Sequence, residues 1–239
     1  MAIPPIQNAA KSPSASTLVT EILADTAEKS TAELVAASEP ALESTLVSAA
    51  TQSAAYRTLL AEKGIEASGL AAGDVSLSEL PLLSKENTVS RFNLDDLVVP
   101  NTWENLHGVL TSSGQGGLFS FGLSTAERDE ESALSIDIAL ATAFDVHRHR
   151  TLVINMLPMG VVFSSLCCAV ATVSVREDMA LALIEKVAPH FEQLLLVADP
   201  IFCKHLVDTA RLRGTPIRHP RLRLVLGEEV FGENYRQYI

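Results

Sequence analysis

Ser112 and Ser113, followed by glycines at 114, 116 and 117, are the residues best placed by type and spacing to do chemistry. The chain spends 12 glycines over 239 residues, and three of them fall within four positions behind two hydroxyls. Successive glycines let backbone N–H groups converge on an anion, and hydroxyls add further donors. The chemistry indicated is the holding of a phosphate by Ser112, Ser113, Gly114, Gln115, Gly116 and Gly117. The letters fit neither GxxxxGK[ST] nor a strand–loop–helix GxGxxG. On local letters alone, a hairpin turn rich in Gly and Ser is the favoured account.

A second set follows the strand expected near 222–226: Gly227, Glu228 and Glu229. Its paired carboxylates could help hold a divalent cation, or simply close a strand-end turn. His107, just ahead of the glycine loop, could polarise a phosphate or serve as an ordinary hydrogen-bonded strand residue. In His147-Arg148-His149-Arg150 the histidines are two apart, off a common helical face. The run therefore reads as a basic helix end and not a metal site. Asp129, Glu130 and Glu131 read as complements to a helix N-terminus. Arg211, Arg213, Arg218, Arg221 and Arg223 form a late basic cluster, either a solvated helix end and loop or an anion site. Cys167, Cys168 and Cys203 offer neither a disulfide framework nor zinc-knuckle spacing, and read as small core residues in a reducing, cytoplasmic setting.

The elements that must position these residues fall into two kinds. Residues 17–50 carry apolar positions at helical spacing, divided at Ser38-Glu39-Pro40, where Ser38 can cap a second helix. A short amphipathic helix follows over 53–65, ended by Gly64. Ser84 can cap another, with Asn87 at its third position. From Leu106 the pattern alternates: strands near 108–111, 119–122, 152–156, 171–175, 193–197 and 222–226, with helices near 126–145, 161–169, 178–190 and 201–213. Alternation of this kind predicts an α/β fold: a helical N-terminal segment, then a mainly parallel, helix-layered sheet. The expected organisation is disorder over 1–16, a helical portion over 17–105 and an α/β portion over 106–239.

Composition bounds the rest. A hydrophobic content of 47% can build a sizeable core, while a net charge of −11 and 5% aromatics argue against a nucleic-acid surface. Residues 151–175 carry no charge and are long enough for a membrane span of roughly 20 residues. Asn155, Pro158, Gly160, Ser164 and Ser165 interrupt the stretch, which divides into strand, turn, short helix and strand. The expectation is no membrane association, and the polar, proline-bearing first sixteen residues do not read as a signal peptide.

Six segments together carry a family resemblance: "AAYRTLLAEKGI" (54–65), "LPLLSKENTVSRF" (80–92), "SSGQGG" (112–117), "TLVINMLPMG" (151–160), "LLLVADPIFCKHLVDTARLRG" (194–214) and "LRLVLGEEVFGENYRQYI" (222–239). In this order they resemble the adenylate-forming superfamily of acyl- and aryl-CoA ligases, most of all its phenylacetate-CoA ligase and acyl-protein synthetase branch. The resemblance spans 53–239. It implies a reaction in two steps: a carboxylate attacks the α-phosphate of Mg-ATP to give an acyl-adenylate and pyrophosphate, and a thiol then takes the acyl group. The implied cofactors are ATP and Mg2+. The implied partners are a carboxylic acid and a thiol acceptor, coenzyme A or a carrier protein.

On that resemblance Ser112, Ser113, Gly114 and Gly117 match the family's phosphate loop, [ST]-S-G-[ST]-T-G. Gly227 and Glu228 match the strand end that meets the nucleotide, with Glu229 beside them. Gln115 and Gly116 stand where the family has hydroxyls, and Leu118 stands where a lysine often follows. The loop is therefore expected to lack a local cation. The family's Tyr-Gly-x-[ST]-Glu motif, ribose-binding Asp and catalytic Lys find no counterpart, so the catalytic residues are unassigned. The expectation is the N-terminal part of such a ligase, inactive alone. The alternative is a non-catalytic acyl- or nucleotide-binding or protein-interaction module, able to pair through an exposed sheet edge.

Overall fold

The computed structural model describes residues 14–71, 73–112, 114, 117–158, 161, 163–227 and 229–239. They form two compact units: Thr26–Asp129, and Glu130–Ile239 together with the residues before Thr26.

The second unit is built on uncharged runs. Thr151–Asn155 (β3) and Gln193–Ala198 (β5) are buried at every position, as strands covered on both faces must be. With Ala169–Thr172 (β4) and Leu222–Leu226 (β6) they make a four-stranded parallel sheet in the order β4-β3-β5-β6. Leu152 lies opposite Leu194, and Leu194 opposite Leu222.

Alternate residues then serve two layers. Leu152, Ile154, Leu194 and Leu196 pack with Glu177–Lys186 (α7) and Pro200–Leu212 (α8), where Phe202 and Leu206 are buried. Val153, Leu195 and Val197 pack with Val19 of Ala15–Ala27 (α1) and Leu140 of Ala126–Phe144 (α6). The strand-rich layered architecture expected of the sequence is the one observed. Its strand order reverses direction between β3 and β5, which makes the carboxyl ends of those two strands a topological switch point.

The other unit holds Thr31–Gln52 (α2), Ala54–Glu62 (α3), Ala67–Ala71 (α4) and Leu94–Leu97 (α5). Ala50, Leu60 and Leu70 form its core. Leu106–Thr111 (β1) and Phe121–Thr125 (β2) pair antiparallel as a hairpin. A final short helix, Glu233–Tyr238 (α9), closes the chain's described part, with the Tyr235 hydroxyl on the Pro200 carbonyl.

Several local expectations are corrected. Ser38 caps nothing: its hydroxyl donates to the Val35 carbonyl, and α2 runs through Pro40. The helix starts at Ser30 instead, where a capping box joins Ser30 and Glu33 at 2.7 and 3.3 Å. Ser84 and Asn87 do exchange capping bonds, but residues 85–91 continue as turns. No helix forms among the described residues of 161–169, for a reason given below. Ala15 and Ser16, expected to be disordered, already belong to α1; residues 1–13 lie outside the described residues. Among the described residues no helix is long and apolar enough to cross a membrane.

Candidate functional site

The glycine loop joins β1 to β2, and Ser112 closes it. The Ser112 N–H donates to the Ser120 carbonyl at 2.9 Å, and the Ser120 N–H donates to Ser112 Oγ at 2.9 Å. These bonds end the ladder, so β2 starts at Phe121 and continues to Thr125, later than the expected 119–122. Gly114 has φ +66°, and a Cβ there would lie 2.4–2.8 Å from the Phe119 ring. Gly117 has φ +80° with open space around it, and its N–H donates to the Gly114 carbonyl at 2.9 Å. Both left-handed conformations favour glycine, and Gly114 is doubly constrained because the ring occupies the side chain's place. Ser113, Gln115 and Gly116 lie outside the described residues.

The loop has a cation after all. Lys85 Nζ lies 3.2 Å from Ser112 Oγ and 3.3 Å from the Leu118 carbonyl oxygen. The sequence reading looked for a lysine directly behind the loop and found Leu118. The ammonium arrives from the 84–92 turns, held in place by the Ser84–Asn87 exchange and the Thr88 hydroxyl on the Ser84 carbonyl. A signal was present, since Lys85 lies in the quoted "LPLLSKEN" segment, but only the fold brings it to the loop. Ser112, Gly114, Gly117 and Lys85 thus converge on one loop of one unit.

His107 and Asp129 belong to this unit too. His107 Nδ1 lies 2.6 Å from Asp129 Oδ2. This contact, then a hydrogen bond from Ser124, holds the Asp129 carboxyl below the usual carboxylate range. Asp129 therefore has a side-chain partner, beyond the helix-dipole role read from the sequence.

Gly227 and Glu229 lie in the other unit. The Gly227 N–H donates to the Ala198 carbonyl at 3.3 Å, which sets Gly227 beside the carboxyl end of β5; Glu229 is exposed and Glu228 lies outside the described residues. Near the switch point, the buried Asn155 folds the chain after β3 back on itself. Its Nδ2 donates to the Val161 carbonyl at 3.2 Å and its Oδ1 accepts from the Leu157 N–H at 3.2 Å. Asp199 caps α8, accepting from the Phe202 N–H at 2.8 Å. These polar groups are engaged in shaping the strand ends.

The most enclosed carboxylate is Asp137 on α6, fully buried. It accepts from the Ser165 hydroxyl and from the N–H groups of Leu166 (2.7 Å) and Cys167 (3.0 Å). Ser165 Oγ in turn accepts from the Cys168 N–H at 2.8 Å. Side-chain acceptors thus take the amides that the expected 161–169 helix would have needed. Burial pushes the Cys168 thiol up to about 11.

The basic run 147–150 follows α6 without ending it: Asp145 turns left-handed at φ 56°, and His147-Arg148 sit in a short 3-10 turn. Among the described residues, no group of three or more His, Cys, Asp and Glu is placed to hold a metal ion.

No family model matches the sequence, and no curated protein matches it. Solved structures do match, and they show an α/β fold shared with part of an adenylate-forming ligase. One is an open conformation of 2-hydroxyisobutyryl-CoA ligase in complex with 2-HIB-AMP and CoA. It is similar at a TM-score of 0.60 and 18% identity, over 79% of this chain and 46% of that one. Another is the same ligase in the postadenylation state with 2-HIB-AMP, at a TM-score of 0.56 and 18% identity, over 78% and 41% of the two chains. The chain spans less than half the length of the ligases it matches.

Proposed function

We propose that the chain provides the phosphate-gripping part of an ATP-dependent, carboxylate-activating ligase. The observation that carries this reading is the loop between β1 and β2, with two left-handed glycines and the Lys85 ammonium on its Ser112 hydroxyl. Left-handed glycines turn consecutive amides towards a common point, and a fixed cation there opposes the charge of a polyphosphate. In the proposed role Ser112, Ser113, Gly114, Gln115, Gly116, Gly117 and Lys85 hold the β- and γ-phosphates. The carboxylic acid and the thiol acceptor, coenzyme A or a carrier protein, are partners of the complete ligase reaction.

A second reading, a non-catalytic nucleotide-binding module, rests on the same loop and the same Lys85 contact. Both readings require the loop to bind ATP, and only the first requires acyl-adenylate formation when the remainder of a ligase is supplied. Calorimetric titration with Mg-ATP, beside a Gly114→Val, Gly117→Val variant of confirmed fold, tests the shared requirement. Saturable binding abolished in the variant is expected. Absence of heat through millimolar ATP would sink both readings.

A further inference from the structure

Four cations among the described residues sit on carboxylates. Arg91 pairs with Glu62, Arg176 with Asp178 at 2.7 Å, Lys204 with Asp208 at 2.6 Å and Arg236 with Glu233 at 2.7 Å. One end of the parallel sheet departs from this. Strands β3, β5 and β6 all begin there, so topology alone carries His149, Glu192 and the segment 218–221 to a common rim. A cavity of about 720 Å³ opens among His149, Glu192, Arg218, His219 and Arg221, with Ile184, Pro189 and Phe191 as its apolar wall.

The rim is a built arrangement. His219 is a strut: its Nε2 lies 3.1 Å from the Phe191 carbonyl oxygen, and its Nδ1 accepts the Arg221 N–H at 3.2 Å. Those partners assign its proton to Nε2. Arg221 reaches His149 Nε2. Glu192, the cavity's one carboxylate, accepts the Arg150 N–H at 2.9 Å. Among the described residues, exposed Arg218 has no hydrogen-bonded or ion-paired partner. Lys186 and Arg213, at the ends of α7 and α8, are explained by the negative ends of those helices. Arg218 and Arg221 follow neither helix's last turn, and that explanation does not reach them.

We infer that this rim binds a small phosphate-bearing ligand with an apolar or planar portion, the phosphate on Arg218 and Arg221 and the remainder against Phe191. A guanidinium offers a planar fork suited to phosphate oxygens, and the half-buried Phe191 ring lines the cavity where it can meet a planar group. The site shares no residue with the glycine loop and does not depend on the ligase reading.

The test is calorimetric titration of the intact chain with adenosine monophosphate and with inorganic phosphate, repeated on Arg218→Glu and on Gly114→Val. Circular dichroism would confirm each variant's fold, and unpartnered Arg218 should tolerate replacement. Adenosine monophosphate should saturate the chain and bind more tightly than phosphate. Arg218→Glu should weaken it about tenfold or more, the loss of one charge-assisted contact, and Gly114→Val should retain it. Unchanged affinity in Arg218→Glu, binding lost only in Gly114→Val, or no saturation at millimolar ligand would each overturn the rim site. Equal affinity for phosphate and the nucleotide would remove the role given to the apolar wall.

Discussion

The Lys85 ammonium lies 3.2 Å from the Ser112 hydroxyl, so a residue 27 positions upstream supplies the cation of the glycine loop. The same Nζ reaches the Leu118 carbonyl, the position where a lysine was sought in sequence. A cation delivered from another segment can lie against the loop without changing the loop's own letters.

Lys85→Met should therefore weaken ATP or pyrophosphate binding while leaving the fold intact. One charge-assisted hydrogen bond is worth about 1.5–3 kcal/mol, so roughly tenfold to a hundredfold is expected in Kd. Lys85→Arg should restore part of the loss. Equal affinity in Lys85→Met and the parent would remove Lys85 from the site.

Gly114 and Gly117 should respond differently to alanine. At Gly117 only the left-handed backbone is penalised, roughly 1–2 kcal/mol. At Gly114 the new Cβ also meets the Phe119 ring, so Gly114→Ala should cost more in thermal unfolding. Adding Phe119→Ala should recover the steric part alone. Indistinguishable melting of the two single variants would refute the contact.

Asp137→Ala should be among the most destabilising single changes in the chain. It removes the acceptor of the Leu166 amide and leaves the Cys167 amide only the Ser165 hydroxyl at 3.2 Å, and an amide buried without a partner costs about 1–3 kcal/mol. Urea denaturation should show a fall of about 3 kcal/mol or more. Asp137→Asn keeps one acceptor oxygen and should fall less. A loss below about 0.5 kcal/mol, the range of ordinary surface changes, would contradict the burial and bonding described.

The His107–Asp129 contact sets a pH window. The Asp129 carboxyl is held below its unfolded value of about 3.9, so its pairing stabilises the hairpin above that pH and is lost as pH falls through the lower folded value. Carboxyl NMR titration should place Asp129 below unpaired aspartates, and His107→Gln should raise its midpoint. No movement in that variant would mean that His107 is not the cause.

The inner strands of the parallel sheet were legible because they are uncharged runs whose burial needs no partner knowledge, as Gln193–Ala198 shows. Leu222–Leu226 matches the expected bounds although it carries Arg223 and is only partly buried, while the edge strand expected at 171–175 lies at Ala169–Thr172. What the letters did not carry were choices made by distant side chains. Residues 161–169 look helical until Asp137 claims their amides from α6. The break expected at Pro40 rested on one residue, whereas the Ser30–Glu33 capping box was the stronger local instruction and fixed the helix start upstream. Lys85 was quoted as part of a motif, yet nothing in its spacing said that it would reach Ser112.

The β3-to-β4 crossover has a consequence for the order of assembly. Parallel neighbours usually wait on a helix between them, but here the linking residues are bent into place by a carboxylate 28 to 30 positions earlier. Until α6 has docked on the sheet, the Leu166 amide lacks its carboxylate acceptor and β4 has no fixed approach to β3. The outer strand β4, paired with β3 alone, is then expected to be the most readily reopened part of the sheet, with faster amide exchange over Ala169–Thr172 than over β3 and β5.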